Sequence, residues 1–374
     1  MAVCLNTESA DKMYRMMSRD KYFVDKSGMI EIVNERINTM NRYLCVTKPR
    51  RFGKTSVINM LGAYYCKVYD TEELFDGLDI AKSKSYRTHL NQYNVFNLCL
   101  NRLPDHGSTY DDYIGMVRNS IKQDILEAYP EVENKEFGSI VDMLAATGDQ
   151  FIFIIDEWDY IFSHELYPEH YGDFLEFLRN LLKDQPYVAL AYMTGVLPIK
   201  KYSTGSALNM FKEYTMLKDP HFEEYFGFTE SEVEALCERQ SELTMEEISD
   251  WYNGYQTRSG ARLYNPRSVI CALEDAVCQS YWTRTGKMDE VLFFLKHNIG
   301  EVRDDVVKMV NGIPVRIDIK KEYSAGQEKP VNKKDIYSAM IIYGLLSYHD
   351  GELSIPNKEL MLEFEEALAD YEYL

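Results

Sequence analysis

The sequence predicts a three-layer α/β/α domain built on a parallel sheet, followed by a mostly helical domain. Five short segments have strand composition, and helical patterns separate most of them along the chain. Such alternation implies parallel strands with helices on both faces. From about Phe222 the sequence changes to acidic helical segments, so we predict a first domain at 1–220 and a second at 221–374.

The individual elements follow from apolar runs and their spacing. The predicted strands are 43–47, 94–100, 151–155, 188–193 and 213–217, and the predicted helices are Lys54–Tyr69, Tyr110–Ala128, Lys135–Thr147 and Tyr171–Lys183. Near the C-terminus, Asp350-Gly351 between apolar runs predicts a hairpin, which is compatible with a winged-helix-like module.

Composition restricts the function classes. The chain has 374 residues and a formal charge of −19, which argues against a general electrostatic grip on nucleic acid or on an anionic membrane. Its seven cysteines form no C-x-x-C pair, so free thiols in a reducing compartment are the simplest interpretation. No segment reaches the roughly 18 uninterrupted apolar residues of a membrane helix. We therefore predict a cytoplasmic protein.

A phosphate-binding loop is predicted where the first apolar strand ends. The segment Pro49–Ser56 matches the Walker A pattern G-x-x-x-x-G-K-[ST], except that Lys48 stands where the first glycine belongs. In this pattern the glycine lets backbone N–H groups approach the phosphates, the lysine reaches the β- and γ-phosphates, and the next hydroxyl binds Mg²⁺. The predicted nucleotide-binding residues are Arg50, Arg51, Phe52, Gly53, Lys54, Thr55 and Ser56.

The second half of such a site, a Walker B strand, is predicted about a hundred residues further on. The apolar strand 151–155 ends in Asp156 and Glu157, and ligands of parallel sheets collect at the carboxyl ends of strands. Asp156 is then placed to bind Mg²⁺ together with Thr55, and Glu157 to act as the base that activates a water molecule. ATP and Mg²⁺ are therefore the predicted cofactors. Adenine is the default base because no N-K-x-D-like guanine signature is present.

A third candidate for the chemistry is Thr194. It ends the predicted strand 188–193 and precedes Gly195, so its hydroxyl would lie beside the two carboxylates if that strand neighbours the strand at 151–155. A polar residue in this place senses the γ-phosphate in ATPases with an inserted strand. Thr-Gly is also ordinary turn chemistry, so the motif alone leaves both interpretations open.

Six sequence motifs (called phrases below), in fixed order, make this chain resemble the bacterial AAA-ATPase-like family. They are Tyr22–Lys26, Pro49–Thr55, Ile155–Asp159, Thr194–Gly195, Trp251–Tyr255 and Tyr264–Pro266, and they extend over most of the chain. The resemblance implies a P-loop NTPase core and accepts a residue other than glycine at position 48. It also implies that Asp25 lies near the nucleotide.

The same resemblance carries an expectation about the C-terminal end. Members of the family usually continue into a PD-(D/E)XK nuclease-like domain after a phrase similar to Ile355–Glu359. This sequence ends soon afterwards, so the resemblance implies the ATPase part alone, either naturally or because the further domain was removed, and it carries no expectation of nuclease activity.

Three functions are compatible with the sequence. The first is a Mg²⁺-dependent, slowly hydrolysing ATPase that acts as a regulatory or signalling switch, with Lys54, Glu157 and Thr194 as catalytic residues and Arg50 or Arg51 as charge stabilisers. The second is an interaction module that binds ATP with negligible turnover. The third is a small-molecule kinase, since fold alone does not fix chemistry. Besides ATP, we expect a protein partner or a further copy of this chain.

Overall fold

The computed structural model describes residues 2–106, 109–133, 136–199, 207–282, 301–330 and 332–372. Contacts divide the chain into two compact units. The first unit comprises Met1–Val46, Lys54–Gly195 and Ile199–Glu213, and the second comprises Thr47–Gly53, Val196–Pro198 and Tyr214–Leu374. The predicted domain boundary between residues 220 and 221 stays a prediction, because these units are defined by contacts alone.

The first unit is built on a five-stranded sheet. Its strands are β1 (Tyr43–Thr47), β2 (Asn94–Cys99), β3 (Phe151–Asp156), β4 (Val188–Gly195) and β5 (Lys212–Tyr214), in the spatial order β2-β3-β4-β1-β5. Strands β2, β3 and β4 pair in parallel. All five predicted strands are therefore confirmed, with ends that differ by a few residues.

The strands form because their residues suit a sheet that is covered on both faces. Every residue of β1, β3 and β4 is buried, as expected for continuous apolar runs in a parallel sheet. Strand β4 lies between β1 and β3, although it follows both in the sequence. This insertion makes the end of β4 a direct neighbour of the end of β3.

Helices flank the sheet. They are α1 (Glu8–Ser18), α2 (Met29–Asn34), α3 (Lys54–Tyr65), α4 (Glu72–Phe75), α5 (Tyr86–His89), α6 (Tyr110–Ala128), α7 (Ile140–Ala146), α8 (Tyr160–Ser163) and α9 (Tyr171–Leu182). Two predicted helices are shorter than expected. Helix α3 ends at Tyr65 because Asn91 binds the carbonyl of Cys66, and α7 begins after Ser139 because that side chain caps it by accepting from the N–H of Asp142.

In its described residues, the second unit is mostly helical with two small sheets. Its helices are α10 (Glu230–Cys237), α11 (Met245–Tyr252), α12 (Pro266–Asp275), α13 (Val302–Val310), α14 (Lys333–Ile342) and α15 (Lys358–Glu372), and its strands are β6 (Phe228–Thr229), β7 (Asn253–Gln256), β8 (Arg262–Tyr264), β9 (Val315–Arg316), β10 (Ser347–His349) and β11 (Glu352–Ser354). Thr229 caps α10, and Asn265 caps α12.

The predicted hairpin near the C-terminus is present. Strands β10 and β11 pair antiparallel around Asp350-Gly351, and β9 adds to the other side of β11. The elements here follow the succession α13, β9, α14, β10, β11 with the strand order β10-β11-β9, and the winged-helix-like module stays a prediction. Within the described part of the chain, every helix is too short or too polar to cross a bilayer.

Candidate active site

The loop glycine, Gly53, has a backbone conformation that other residues adopt only with strain. Its φ is 85°, and α3 begins at the next residue, Lys54. A Cβ atom placed on Gly53 would meet no atom within 4 Å, so the requirement for glycine comes from the backbone angle. The turn leads into the N-terminus of α3, where backbone N–H groups and the helix dipole favour an anion.

Thr55 and Asp156 come together as predicted. Thr55 Oγ1 donates to Asp156 Oδ2 over 3.2 Å, although 101 residues separate them in the sequence. Thr55 lies in the first turn of α3, and Asp156 is the last residue of β3. The structure thus joins the two sequence motifs through a hydroxyl and a carboxylate, both of which are oxygen ligands suited to Mg²⁺.

The carboxylate of Asp156 is buried without full charge compensation. Burial and the neighbouring Glu157 carboxylate raise the pKa of Asp156 to about 6, although the Thr55 hydroxyl and the Lys54 ammonium act in the opposite direction. Only 6% of Asp156 is exposed. A further positive charge at this position would relieve the cost of ionising it.

Glu157 follows Asp156 in a left-handed backbone conformation. Its φ is 50°, and its N–H donates to Asp156 Oδ1 over 3.0 Å. This conformation costs free energy in residues other than glycine and asparagine. It is typically retained where the side chain must be held in one orientation. The Glu157 side chain is half-buried, beside the carboxyl end of the sheet.

Thr194 lies at the predicted position, but its hydroxyl has another partner. Strand β4 neighbours β3 as the sensor hypothesis requires, and Thr194 is fully buried. Its Oγ1 donates to the carbonyl oxygen of Val46 in β1 over 2.7 Å. In the structure, the Thr194 hydroxyl therefore links β4 to β1 through a hydrogen bond. Its role as phosphate sensor stays a prediction.

Asp25 is engaged within its own part of the fold. Its carboxylate accepts from the N–H of Ser27 and from the N–H of Asp79, both over 2.7 Å. These bonds stabilise the segment that precedes α2. The proximity of Asp25 to a nucleotide stays a prediction.

The loop residues before Lys54 belong to the second unit and are held by it. Lys48 Nζ lies 2.7 Å from Asp219 Oδ2, and both side chains are almost fully buried. The Phe52 ring packs edge-on against Tyr255 with centroids 5.0 Å apart, and the Arg51 guanidinium donates to the carbonyl of Tyr281. The charge of Lys48 is thus balanced by a carboxylate of the protein.

Sequence reasoning missed Asp219. It follows Lys48 by 171 residues, and its other oxygen accepts from the N–H groups of His221 and Phe222. The available signal was Lys48 itself, since a lysine that replaces a loop glycine next to a buried strand requires a counter-ion. Lys48 therefore predicts a carboxylate partner without identifying it.

These features are the arrangement of a P-loop: a loop that turns into a helix, a hydroxyl in the first helical turn, and two carboxylates at the carboxyl end of β3. The chain belongs to the family described as "Predicted AAA-ATPase", whose model matches residues 10–204. The family resemblance inferred from the sequence is therefore confirmed. No curated protein matches the chain.

Several solved structures are similar to this chain at low identity. They include a Walker-type ATPase of Pyrococcus abyssi (14% identity, 91% of this chain and 94% of that chain covered, TM-score 0.44) and the ORC2 protein of Aeropyrum pernix in its ADPNP-ADP complexes (12%, 93% and 94%, 0.39). Cdc6p of Pyrobaculum aerophilum is similar at 10% identity, with 99% of both chains covered and a TM-score of 0.30. At such scores these likenesses do not bear on the activity of this chain.

Proposed function

We propose that this protein binds ATP together with Mg²⁺ and slowly hydrolyses the bond between the β- and γ-phosphates, as a regulatory switch. The observation that carries the proposal is the hydrogen bond of 3.2 Å between Thr55 and Asp156. It joins the hydroxyl of the predicted loop to the carboxylate of the predicted strand end. Membership of the ATPase family supports the same assignment.

The phosphates would be bound by the loop and the first turn of α3. Gly53 permits the turn, Phe52 and Ser56 flank it, and Lys54 would meet the β- and γ-phosphates as a point charge. Lys54 already lies close enough to Asp156 to lower the pKa of that carboxyl, so its charge acts at the strand end. Arg50 remains the candidate for stabilising charge on the phosphates.

The residues present fit Mg²⁺. Among the described residues, no group of three or more histidine, cysteine or acidic side chains is placed to hold a metal ion by itself. Mg²⁺ in nucleotide sites needs no such group, because it is bound through one or two protein oxygens, water and the phosphates. Thr55 and Asp156 supply that donor set, and Mg²⁺ there would neutralise charge on the phosphates.

Glu157 is the proposed general base. A carboxylate one residue beyond the metal-binding Asp156 can accept the proton of a water that attacks the γ-phosphate. Its left-handed backbone supports a positioned side chain. Thr194 would contribute as γ-phosphate sensor if its hydroxyl exchanges the Val46 carbonyl for a phosphate oxygen.

The test combines nucleotide binding and phosphate release on the purified protein with and without Mg²⁺. Lys54→Ala should lose ATP binding, whereas Glu157→Gln should bind ATP and lose turnover by a factor of about 10² to 10⁴, the usual share of a general base. Glu165→Gln is a matched control, because Glu165 is also left-handed at φ 51° and is exposed. It should hydrolyse ATP like the wild type.

The same data separate the alternative functions. ATP binding without phosphate release under any condition would replace the switch by an interaction module that holds its nucleotide. No ATP binding by the wild type would remove the proposal altogether. Oligomeric state is measured with and without ATP, because a regulatory switch should change its association with itself or with a protein partner.

A further inference from the structure

Three phrases of the second unit, Trp251–Tyr255, Tyr264–Pro266 and Ile355–Glu359, have no role in the chemistry proposed above. The structure brings residues of all three together. A Cβ atom on Gly254 would lie 1.5 Å from the carbonyl oxygen of Pro356, so only glycine at position 254 allows the segment Ile355–Glu359 to approach this closely. The loop residues 47–53 belong to the same unit.

Glu359 is the ionisable group at the centre of this arrangement. It lies in the first turn of α15 and is fully buried. Its carboxylate accepts from Ser268 Oγ over 2.9 and 3.1 Å and from the N–H of Tyr281 over 2.5 Å. Ser268 lies two residues after Pro266 in α12. Burial raises the pKa of Glu359, while these donors and the Arg51 guanidinium favour the ionised form.

Arg51 connects the phosphate loop to the same place. It has a left-handed φ of 68°, and its Nη1 donates to the carbonyl of Tyr281. The backbone of Tyr281 thus donates its N–H to Glu359 on one side and accepts from Arg51 through its carbonyl on the other. Burial lowers the pKa of Arg51, and the negative charge of Glu359 acts against this, so the two charges are close.

Building on the ATP-binding function proposed above, we propose that Glu359 is a positioning residue for the phosphate loop: it fixes Tyr281, which fixes Arg51 in its left-handed conformation. The strained residue Arg51 precedes Lys54 by three positions. An arginine in this conformation persists when its surroundings hold it. Release of Arg51 would let the loop leave the turn that Gly53 makes into α3.

The neighbouring residue shows the same kind of restraint. Phe52 is fully buried, its carbonyl accepts from the N–H of Gly227 over 3.2 Å, and its ring packs on Tyr255. Tyr255 in turn donates to the carbonyl of Gly344 over 2.7 Å. Phe52 is thus held by packing and one backbone hydrogen bond that do not involve Glu359, whereas Arg51 is linked to Glu359 by charge and through Tyr281, so a change at Glu359 should act on Arg51 first.

The first experiment needs no nucleotide. Amide hydrogen exchange of the protein without ATP should become faster at residues 50–53 in Glu359→Gln, by about tenfold or more, because local opening follows the loss of fixed contacts. Glu363→Gln is the matched control. Glu363 lies one turn further along α15, is also buried, and accepts from Ser280 Oγ over 2.8 Å. It should leave exchange at residues 50–53 unchanged.

The second experiment measures ATP affinity in a double-mutant cycle. Glu359→Gln and Arg51→Met should each weaken binding by about fivefold or more, and the double variant should be no weaker than the worse single one, because both act along one chain of contacts. Additive losses, or equal effects of Glu359→Gln and Glu363→Gln on exchange, would overturn the proposal. Wild-type protein that fails to bind ATP counts against the proposed function alone, since the exchange experiment still tests the role of Glu359.

A variant that retains the charge covers the case in which Glu359→Gln does not fold. Ser268→Ala removes one donor and leaves the carboxylate on Tyr281. It should speed exchange at residues 50–53 in the same direction but less. Unchanged exchange in folded Ser268→Ala and faster exchange in Glu363→Gln would together contradict the proposal.

Discussion

Residues on the two sides of Gly53 are held in different ways. Before it, Lys48 has a buried counter-ion in Asp219, and Arg51 and Phe52 have fixed partners in the second unit. After it, Thr55 meets Asp156, whose carboxylate is buried with incomplete compensation and has a raised pKa. Buried charges that the protein balances itself serve the scaffold, whereas a buried charge left partly unbalanced marks a place for a ligand.

The largest effect on stability is expected from breaking the pair before the glycine. Lys48→Met leaves Asp219 buried without its counter-ion and should lower the free energy of unfolding by about 3 to 5 kcal/mol, the range for one lost partner of a buried pair. Lys48→Met with Asp219→Asn should recover most of this loss, because no buried charge remains and the amide oxygen can still accept from the N–H groups of His221 and Phe222.

The measurement is urea unfolding of both variants at one pH. If the double variant loses more free energy of unfolding than Lys48→Met alone, the pair stabilises the protein through its packing and not through its charge. In that case the contrast between the two sides of Gly53 would lose its electrostatic basis.

Two glycines sharpen the contrast between packing and conformation. Gly254→Ala should cost about 3 kcal/mol, the upper part of the range for overpacking, because its Cβ would overlap the carbonyl of Pro356. Gly53→Ala meets no atom and should cost only about 1 to 2 kcal/mol for its left-handed backbone. ATP affinity should respond in the opposite order, with Gly53→Ala the weaker binder. Equal losses of affinity in both variants would contradict this division.

The ionisation of Asp156 gives a pH-dependent test. Its folded pKa of about 6 lies above the ordinary value of 3.8, so the folded protein binds this proton more tightly than the unfolded chain does. Ionised Asp156 therefore costs stability above about pH 6, by roughly 2 to 3 kcal/mol, and the cost disappears as the pH falls below about 4. Asp156→Asn should be more stable than the wild type at pH 8 and equal to it near pH 4.

This comparison is made by urea unfolding without nucleotide or Mg²⁺. Asp111→Asn, an exposed carboxylate at the start of α6, is the control and should show no such crossover. A constant difference between Asp156→Asn and the wild type at all pH values would show that the effect is packing and not charge.

Much of the fold could be predicted because its signals are local. The apolar strands, the Gly53-Lys54-Thr55 turn into α3 and the Asp350-Gly351 hairpin each depend on a few adjacent residues. The insertion of β4 between β1 and β3 could not be derived this way, because strand order depends on pairing between segments that are distant in the sequence.

The candidate site divides along the same line. Thr55, Asp156 and Glu157 belong to motifs whose spacing encodes the chemistry, and the structure brings Thr55 to Asp156. The partners of Lys48 and Arg51 lie 171 and 230 residues away, where no periodicity or motif links them. Gly254 follows Asn253, the cap residue of α11, and its φ of 137° and its closeness to Pro356 show that packing in β7 requires glycine there.

The smallest expected effect on stability concerns Thr194. The contrast between the two sides of Gly53 does not decide whether this residue belongs to the scaffold or to the nucleotide site. Thr194→Val keeps the shape and removes the donor to the Val46 carbonyl, so stability should fall by only about 1 kcal/mol. Thr194→Ser keeps the hydroxyl and is the control for the lost methyl group. If Thr194 senses the γ-phosphate, Thr194→Val should lower ATP turnover strongly although the protein stays folded. Thr194→Ser should hydrolyse ATP normally, because its hydroxyl can still exchange the Val46 carbonyl for a phosphate oxygen. Normal turnover in Thr194→Val would leave Thr194 as a tie between strands and place it with the scaffold residues that precede Gly53.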